Sequence, residues 1–200
     1  REALKLVAEV RGQIVDISSS FKEGDFVKKG TRLIQIDPRT YELEVQRRKV
    51  QIKQAQAEIK RLQQEVLNLQ ARIKIAKSDV SLAKSEYFRL KNLINRKVIS
   101  QSTLDKAEQQ YLSSLERLQA LENQVALTGP QKEQLLAQRD LAKVLFQESQ
   151  LDLERSGIIA LFDGWVLEKT VEVGQHVNVG QNLGRIYSAG GLDIEVRIPV

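Results

Sequence analysis

The sequence predicts an α+β protein in which a long antiparallel two-stranded coiled-coil hairpin is inserted between the two halves of one β sandwich. Three observations support this fold class. A glycine-rich motif near the start of the chain is repeated near its end. Between the copies, apolar residues follow a heptad pattern that no Gly or Pro interrupts from Tyr41 to Thr128. After a turn near Lys97, the pattern continues in the register that a folded-back helix requires.

The repeated motif defines the two β halves. The first half, residues 1–37, contains GQIVDISSSFKEGDFVKKGTRLIQI, and the second half, residues 157–191, contains GWVLEKTVEVGQHVNVGQNLGRI. Both copies end in Gly-x-x-Val-x-x-Gly-x-x-Leu-x-x-Ile, and the second glycines of this spacing, Gly30 and Gly180, can supply the positive φ of tight turns. Because a few short strands cannot fold alone, we expect the halves to close on each other.

This pattern resembles the half-motifs of lipoyl and biotinyl carrier domains. In an active carrier, a tight hairpin joins the halves and presents the modified lysine. Here Asp37-Pro38 ends the first half, and more than a hundred residues intervene before Gly164. That departure removes the lysine hairpin, so we expect no lipoylation, no biotinylation and no other cofactor.

The residues between the halves, 38–156, predict the helical hairpin. In its first limb, apolar residues occupy the two core positions of successive heptads, which predicts a helix of about 55 residues, on the order of 80 Å long. The first core position is held by Ile52, Ile59, Val66, Ile73, Val80, Tyr87 and Ile94, and the second by Ala55, Leu62, Leu69, Ala76, Ala83 and Leu90.

The return limb carries the same pattern, and the turn is expected near residues 94–102. Folding there places Leu90 beside Ala107, Tyr87 beside Tyr111 and Ala76 beside Leu121, so large residues often face small ones across the seam. The return-limb core positions are Leu104, Ala107, Tyr111, Ser114, Leu118, Leu121 and Val125.

Gly129-Pro130 predicts a break in the return helix near residues 128–130. Proline lacks the amide donor, and its ring clashes with the preceding turn. Beyond it the apolar stripe is weaker, with Glu148 and Asp152 near the seam, so looser packing is expected there.

A split lipoyl-like module that carries an α-hairpin resembles the periplasmic adaptors, or membrane fusion proteins, of the HlyD and efflux-pump type. The most specific short element lies at the hairpin tip, where Arg89, Leu93 and Ser100 have the spacing R-x3-L-x6-S. This spacing is similar to the motif by which such adaptors dock a TolC-like outer-membrane channel. The resemblance also implies that residues 192–200 form the first strand of a β-barrel domain and that the chain is part of a longer protein.

The chemistry of the tip residues fits two interpretations. For docking, Arg89 offers a guanidinium to carboxylates or carbonyls of a partner helix, Leu93 offers an apolar contact, and Ser100 offers a hydroxyl. In the alternative, Leu93 and Ile94 close the seam, and Ser100 or Ser102 caps the return helix.

The family resemblance implies partners, a location and a function. The expected partners are an inner-membrane transporter of RND, ABC or MFS type, a TolC-like outer-membrane channel, and further copies of the chain in a ring, expected to be a hexamer. The expected location is the periplasm, anchored to or associated with the inner membrane through segments outside this sequence. The function implied is an adaptor of tripartite efflux or secretion. A type I protein-secretion adaptor is the alternative to drug or metal efflux, and a carrier-domain or coiled-coil scaffold is the less favoured class.

Residue composition argues against several other functions. The formal charge of +5 arises from 31 basic and 26 acidic residues that are well mixed, so no nucleic-acid partner is expected. With no cysteine and one histidine, no metal site is expected, and we find no catalytic constellation. His176 is interpreted as a surface residue and Trp165 as part of the β core. No segment approaches the roughly 18 apolar residues of a membrane span. We therefore expect a non-enzymatic protein.

Overall fold

The described part of the chain, residues 3–94 and 99–188 of a computed structural model, consists of eight short strands and two long helices. Helix α1 spans Arg39–Ile94, and helix α2 spans Gln101–Arg155. Four strands precede α1 and four follow α2. In chain order, strands β1 to β8 are Ala3–Val7, Gly12–Ile17, Phe26–Val27, Arg32–Ile36, Gly157–Ile159, Gly164–Lys169, His176–Val177 and Asn182–Ser188.

Two four-stranded sheets interlock the β halves. One sheet has the strand order β1-β8-β6-β3, and the other has the order β5-β4-β2-β7. Each sheet therefore takes two strands from the first half and two from the second, and all pairs are antiparallel. Neither half contains a complete sheet. The predicted split sandwich is confirmed.

One backbone hydrogen bond between the halves occurs twice, with donor and acceptor halves exchanged. The amide of Gly30 donates to the carbonyl of Ala160 at 2.7 Å, and the amide of Gly180 donates to the carbonyl of Ala8 at 2.8 Å. Both glycines have positive φ, 81° and 82°, a conformation that costs other residues about 1–2 kcal/mol. The glycine spacing read from the sequence therefore marks two equivalent turns.

The β core is built from buried apolar residues of these strands and of the turns between them. Burying such side chains stabilises the fold by about 1.5–3 kcal/mol each. The core consists of Leu6, Ala8, Val10, Ile14, Phe21, Val27, Leu33, Ile34, Ile36, Ala160, Val166, Val171, Val177, Leu183 and Ile186.

Trp165 does not belong to this core, so that expectation is wrong. Gly164 and Val166 face inward, and the two-residue alternation of a strand turns Trp165 outward. It is 40% exposed and contacts the edge of Phe26, which is 41% exposed, with ring centroids 5.2 Å apart. Strand position, not side-chain size, decides its burial.

The heptad seam of the hairpin is confirmed by burial. Every predicted core position of α1 is buried or half-buried, and nearly all other residues between 52 and 94 are exposed. Leu69, Ala76 and Leu121 form a buried cluster that joins the two helices, with Ile73 and Val125 packed against it. The predicted register is therefore present.

The predicted break near residues 128–130 is wrong, because α2 is helical through Pro130. Pro130 is exposed, whereas Thr128 and Leu135, seven residues apart, are half-buried on the seam side. The Thr128 hydroxyl donates to the Val125 carbonyl at 2.7 Å. A proline inside a helix costs about 3 kcal/mol, and we attribute the continuous helix to seam packing on both sides.

Beyond Pro130, the expectation of polar residues near the seam fits Asp152, which is half-buried, and is wrong for Glu148. The heptad continues through Ala142 and Ser149, which are both buried, and Glu148 is exposed. Ser149 donates its hydroxyl to the Phe146 carbonyl at 2.7 Å, which satisfies the buried oxygen. Small residues therefore keep the seam where bulky apolar residues are missing.

The chain divides into two compact units, one of Arg1–Gln51 with Lys143–Val200 and one of Ile52–Ala142. The start of α1 and the end of α2 thus group with the β strands. The barrel strand predicted at residues 192–200 lies outside the described residues. Among the described residues, neither helix has an apolar stretch long enough to cross a membrane.

Candidate functional site

The end of α1 carries the last layers of the seam. Leu90 is buried, and Tyr87 stacks on Tyr111 with ring centroids 5.9 Å apart and an interplanar angle of 16°. The Lys91 ammonium lies 5.5 Å from the Tyr87 ring centroid, and the Tyr87 hydroxyl donates to Glu108 at 3.5 Å. The Tyr87–Tyr111 stack and the hydrogen bond to Glu108 join α1 to α2 near the tip, while the Lys91 contact lies within α1.

Arg89 lies on the exposed side of α1, with 63% of its side chain exposed. Its Nε and Nη2 donate to the two carboxylate oxygens of Glu86 at 2.8 and 2.6 Å. These hydrogen bonds lower the pKa of Glu86 and raise the pKa of Arg89, so both groups are charged at neutral pH. Exposed ion pairs contribute little to stability, so the main effect of this one is to orient the guanidinium on the helix surface.

Phe88 is a tip residue that the sequence analysis missed. Its side chain is 47% exposed beside Arg89, and its ring contacts the edge of Tyr87 with centroids 5.3 Å apart. The signal was present in the heptad: Tyr87 occupies a core position, so the next residue must point away from the seam. Phe88 therefore adds an exposed apolar surface near the end of α1.

Ser100 is the N-cap of α2, as the alternative interpretation proposed. The Thr103 amide donates to the Ser100 hydroxyl oxygen at 3.3 Å, and the two hydroxyl oxygens lie 2.9 Å apart. Such a cap contributes about 1 kcal/mol. Ser100 is nevertheless exposed, so the residue remains accessible to a partner.

The three predicted docking residues lie near the end of α1 and immediately before the start of α2. Arg89 is exposed, Leu93 is half-buried next to half-buried Ile94, and Ser100 precedes the first residue of α2. Within residues 3–94 and 99–188, no hydrogen bond or ion pair joins Arg89, Leu93 and Ser100. Residues 95–98 lie outside the described residues. A joint docking role for the three stays a prediction.

The chain leaves β4 through a helix cap and not through a lysine-bearing hairpin. Asp37 follows β4, and its Oδ1 accepts a hydrogen bond from the Arg39 amide at 3.1 Å, at the start of α1. The Arg39 guanidinium donates to Asp37 Oδ2 at 2.6 Å and lowers the pKa of this carboxyl to about 2. The expectation of no cofactor stays a prediction.

The only histidine, His176, lies on β7 beside Gln13 of β2, and its side chain is exposed, as expected. In the described part of the chain, no group of three or more His, Asp or Glu side chains is placed to hold a metal ion. The candidate site is therefore the tip surface formed by Phe88, Arg89, Leu93 and Ser100, which could bind a partner.

One protein family matches nearly the whole chain. The sequence model of the family described as "RND MFP, barrel-sandwich hybrid domain" matches residues 2–188. No curated protein matches the chain.

Solved structures with a similar fold include the membrane fusion protein Spr0693 from Streptococcus pneumoniae R6. It is 14% identical, the TM-score is 0.56, and the match covers 94% of this chain and 60% of Spr0693. The periplasmic adaptor protein EmrA is 17% identical over 93% of this chain and 72% of EmrA, with a TM-score of 0.47. The soluble domain of LipC, a membrane fusion protein of a type I secretion system, is 15% identical over 94% of this chain and 100% of that domain, with a TM-score of 0.47. At these identities, the likeness to Spr0693 shows the fold.

Proposed function

Because the chain belongs to the RND membrane fusion protein family, through the barrel-sandwich hybrid domain, we propose that it is a periplasmic adaptor of a tripartite efflux or secretion system. In this role it connects an inner-membrane transporter, of RND, ABC or MFS type, to a TolC-like outer-membrane channel. The task is mechanical and needs no catalytic residue.

The observation that carries the proposal is the difference between the seam residues and the exposed residues of the hairpin. The core positions from Ile52 to Leu90 are buried or half-buried between the two helices, so their side chains are not free to contact a partner. At the end of α1, Phe88 and Arg89 remain exposed although each contacts a neighbouring residue. Aromatic and arginine side chains are the residues that most often anchor protein interfaces.

The tip chemistry suits a helical partner. An oriented guanidinium can exchange its Glu86 carboxylate for a carboxylate or carbonyl of the channel, and Phe88 and Leu93 can enter an apolar groove between channel helices. The half-buried position of Leu93 fits a residue that contributes to the seam and to the interface.

Assembly of several copies is part of the proposal, with a hexameric ring as the expected form. The Phe26–Trp165 pair on the β module supports such contacts, since both rings are about two-fifths exposed. Exposed aromatic pairs of this kind are typical of surfaces that another protein covers.

Site-directed crosslinking tests the proposed docking. A photoreactive amino acid at Leu93 in the full-length protein should crosslink to the outer-membrane channel of the same organism. The same group at Val50, an exposed residue of α1 near its start, should not. A channel adduct from Val50 and none from Leu93 would contradict docking through the tip.

A further inference from the structure

The two β halves are equivalent position by position. In the first half, Ile17 pairs with Ile34, and in the second half, Lys169 pairs with Gly184. Both strand pairs also contain a register shift at the same place, between Ile14 and Asp16 in the first half and between Val166 and Glu168 in the second. Ile34 and Gly184 therefore occupy equivalent positions.

A second equivalence concerns the turn that follows β2 and β6. Each half has a buried apolar residue immediately before an equivalent turn hydrogen bond: Phe21 in the first half and Val171 in the second. Those hydrogen bonds run from the Asp25 amide to the Lys22 carbonyl at 3.0 Å and from the Gln175 amide to the Glu172 carbonyl at 3.2 Å.

The side chains at these equivalent positions differ in size. The larger residue of one pair, Phe21, lies over the smaller residue of the other pair, Gly184. A Cβ atom on Gly184 would lie 2.5 Å from the Glu168 carbonyl oxygen and 2.8 Å from Phe21 Cζ, so Phe21 of the first half packs directly over Gly184 of the second. At the other position, Ile34 has a full side chain and the residue equivalent to Phe21 is the smaller Val171. All three side chains are buried in the same core.

Because the halves are equivalent, a first half could in principle pair with the first half of another copy. Strand exchange of this kind is a common route to unwanted dimers. In such a pair, Phe21 of one copy would meet Ile34 of the other, where the native partner is a glycine. The native space holds one large side chain opposite a glycine, so two large side chains there would be overpacked.

We propose that the Phe21–Gly184 pair is a specificity element that makes the first β half pair with the second half and excludes the first half of a second copy. The exclusion works by steric conflict against the wrong partner, while the native pair gains a filled core. The inference uses only the β module, so it holds or fails independently of the adaptor role.

Disulfide trapping in the intact protein tests this proposal, because the sequence contains no cysteine. Phe26 pairs with Trp165, and Gln13, the equivalent of Trp165, pairs with His176. In a pair of first halves, residue 26 of one copy would therefore face residue 13 of the other. A Gln13→Cys/Phe26→Cys reporter forms an intermolecular disulfide in that arrangement.

The reporter protein is refolded at high concentration, oxidised, and analysed without reductant. Two substitutions remove the conflict from opposite sides, Phe21→Val and Ile34→Ala. Each should raise the yield of disulfide-linked dimer about tenfold over the reporter alone. Relief of overpacking changes the stability of such a pair by about that factor. Val171→Ala is the matched control: it also opens the core but leaves Phe21 against Ile34, so its dimer yield should equal that of the reporter alone.

A second reporter, Phe26→Cys/Trp165→Cys, shows whether the native pairing still forms in each background, because its disulfide is intramolecular. Native pairing with no rise in dimer for Phe21→Val and Ile34→Ala would overturn the proposal. So would an equal rise for Val171→Ala, because the dimers would then reflect general loss of core packing.

Discussion

The amide of Gly24 donates a hydrogen bond of 2.9 Å to the carbonyl of Val166, and the Val166 amide donates one of 2.9 Å to the carbonyl of Asp25. This exchange joins the first β half to the second, although the whole hairpin lies between them in the sequence. The second half repeats it toward the first, with the Gly174 amide donating to the Ile14 carbonyl at 2.8 Å. The β module is thus a single folding unit assembled from two ends of the chain.

Excision of the hairpin tests this conclusion. Replacing Ile52–Ala142 by a short Gly-Ser turn keeps the unit that contains both β halves and retains Tyr41, whose hydroxyl donates to the Arg11 carbonyl at 2.6 Å. We expect a cooperatively melting β protein with dispersed amide resonances. An unstructured product would show that the hairpin is needed to fold the module.

A matched pair of leucines tests the hairpin register. Leu69 is 3% exposed in the seam cluster, whereas Leu67, on the same helix, is 57% exposed. Leu69→Ala should reduce the free energy of unfolding by about 2–5 kcal/mol, and Leu67→Ala by less than about 0.5 kcal/mol. Urea unfolding followed by helical circular dichroism measures both. Equal losses for the two variants would rule out the seam.

The seam was predictable because burial in a coiled coil repeats locally, every seven residues. The interlocked sheets were predictable in outline, since two incomplete copies of one motif have to complete each other. The break at Pro130 was a wrong prediction because local propensity omits the seam contacts on either side. Trp165 was misplaced because its size suggested burial, while the alternation around Gly164 and Val166 decided against it.

At the tip, the sequence indicated Arg89, Leu93 and Ser100 through their spacing, but the contacts around them depend on atomic positions. The exposure of Phe88 could have been read from the heptad, whereas the hydrogen bonds between Arg89 and Glu86 depend on the side-chain positions. The Phe21–Gly184 relationship could not be derived from the motif, which aligns the two halves without showing which side chains meet in the core.

A pair of glycines tests the continuous course of α2. Outside the neighbouring residues and the helix's own backbone, a Cβ atom would contact nothing within 4 Å at either Gly129 or Gly24, but Gly24 has a φ of +82° and Gly129 is helical. Gly129→Ala gains helix propensity, but the Pro130 ring crowds the Cβ of the residue before it, so the free energy of unfolding should change by less than about 1 kcal/mol. Gly24→Ala should destabilise the protein by about 1–2 kcal/mol. Melting curves of both variants compare the two effects. A loss for Gly129→Ala as large as that for Gly24→Ala would contradict a helical residue 129.

Acid sensitivity at the start of α1 follows from Asp37. Its pKa falls from 3.8 to about 2, chiefly through the hydrogen bonds from the Arg39 side chain. A lowered pKa in the folded state contributes stability above pH 3.8, and this contribution is lost as the pH falls toward 2. Arg39→Gln should move the Asp37 pKa, measured by carboxyl NMR titration, back toward its ordinary value. An Asp37 pKa near 3.8 in the unsubstituted protein would contradict the ion pair.

The adaptor role depends most directly on whether the tip acts separately from folding. Arg89→Asp reverses an exposed charge at the tip, and Arg72→Asp makes the same change at an exposed residue in the middle of α1. In cells that lack the native adaptor, each variant is expressed as the full-length protein, and export of the transporter's cargo is measured beside protein abundance and melting temperature. We predict that Arg89→Asp abolishes export at normal abundance with a melting temperature close to that of the unsubstituted protein, while Arg72→Asp exports normally. Normal export by Arg89→Asp at normal abundance would show that this residue does not dock the channel.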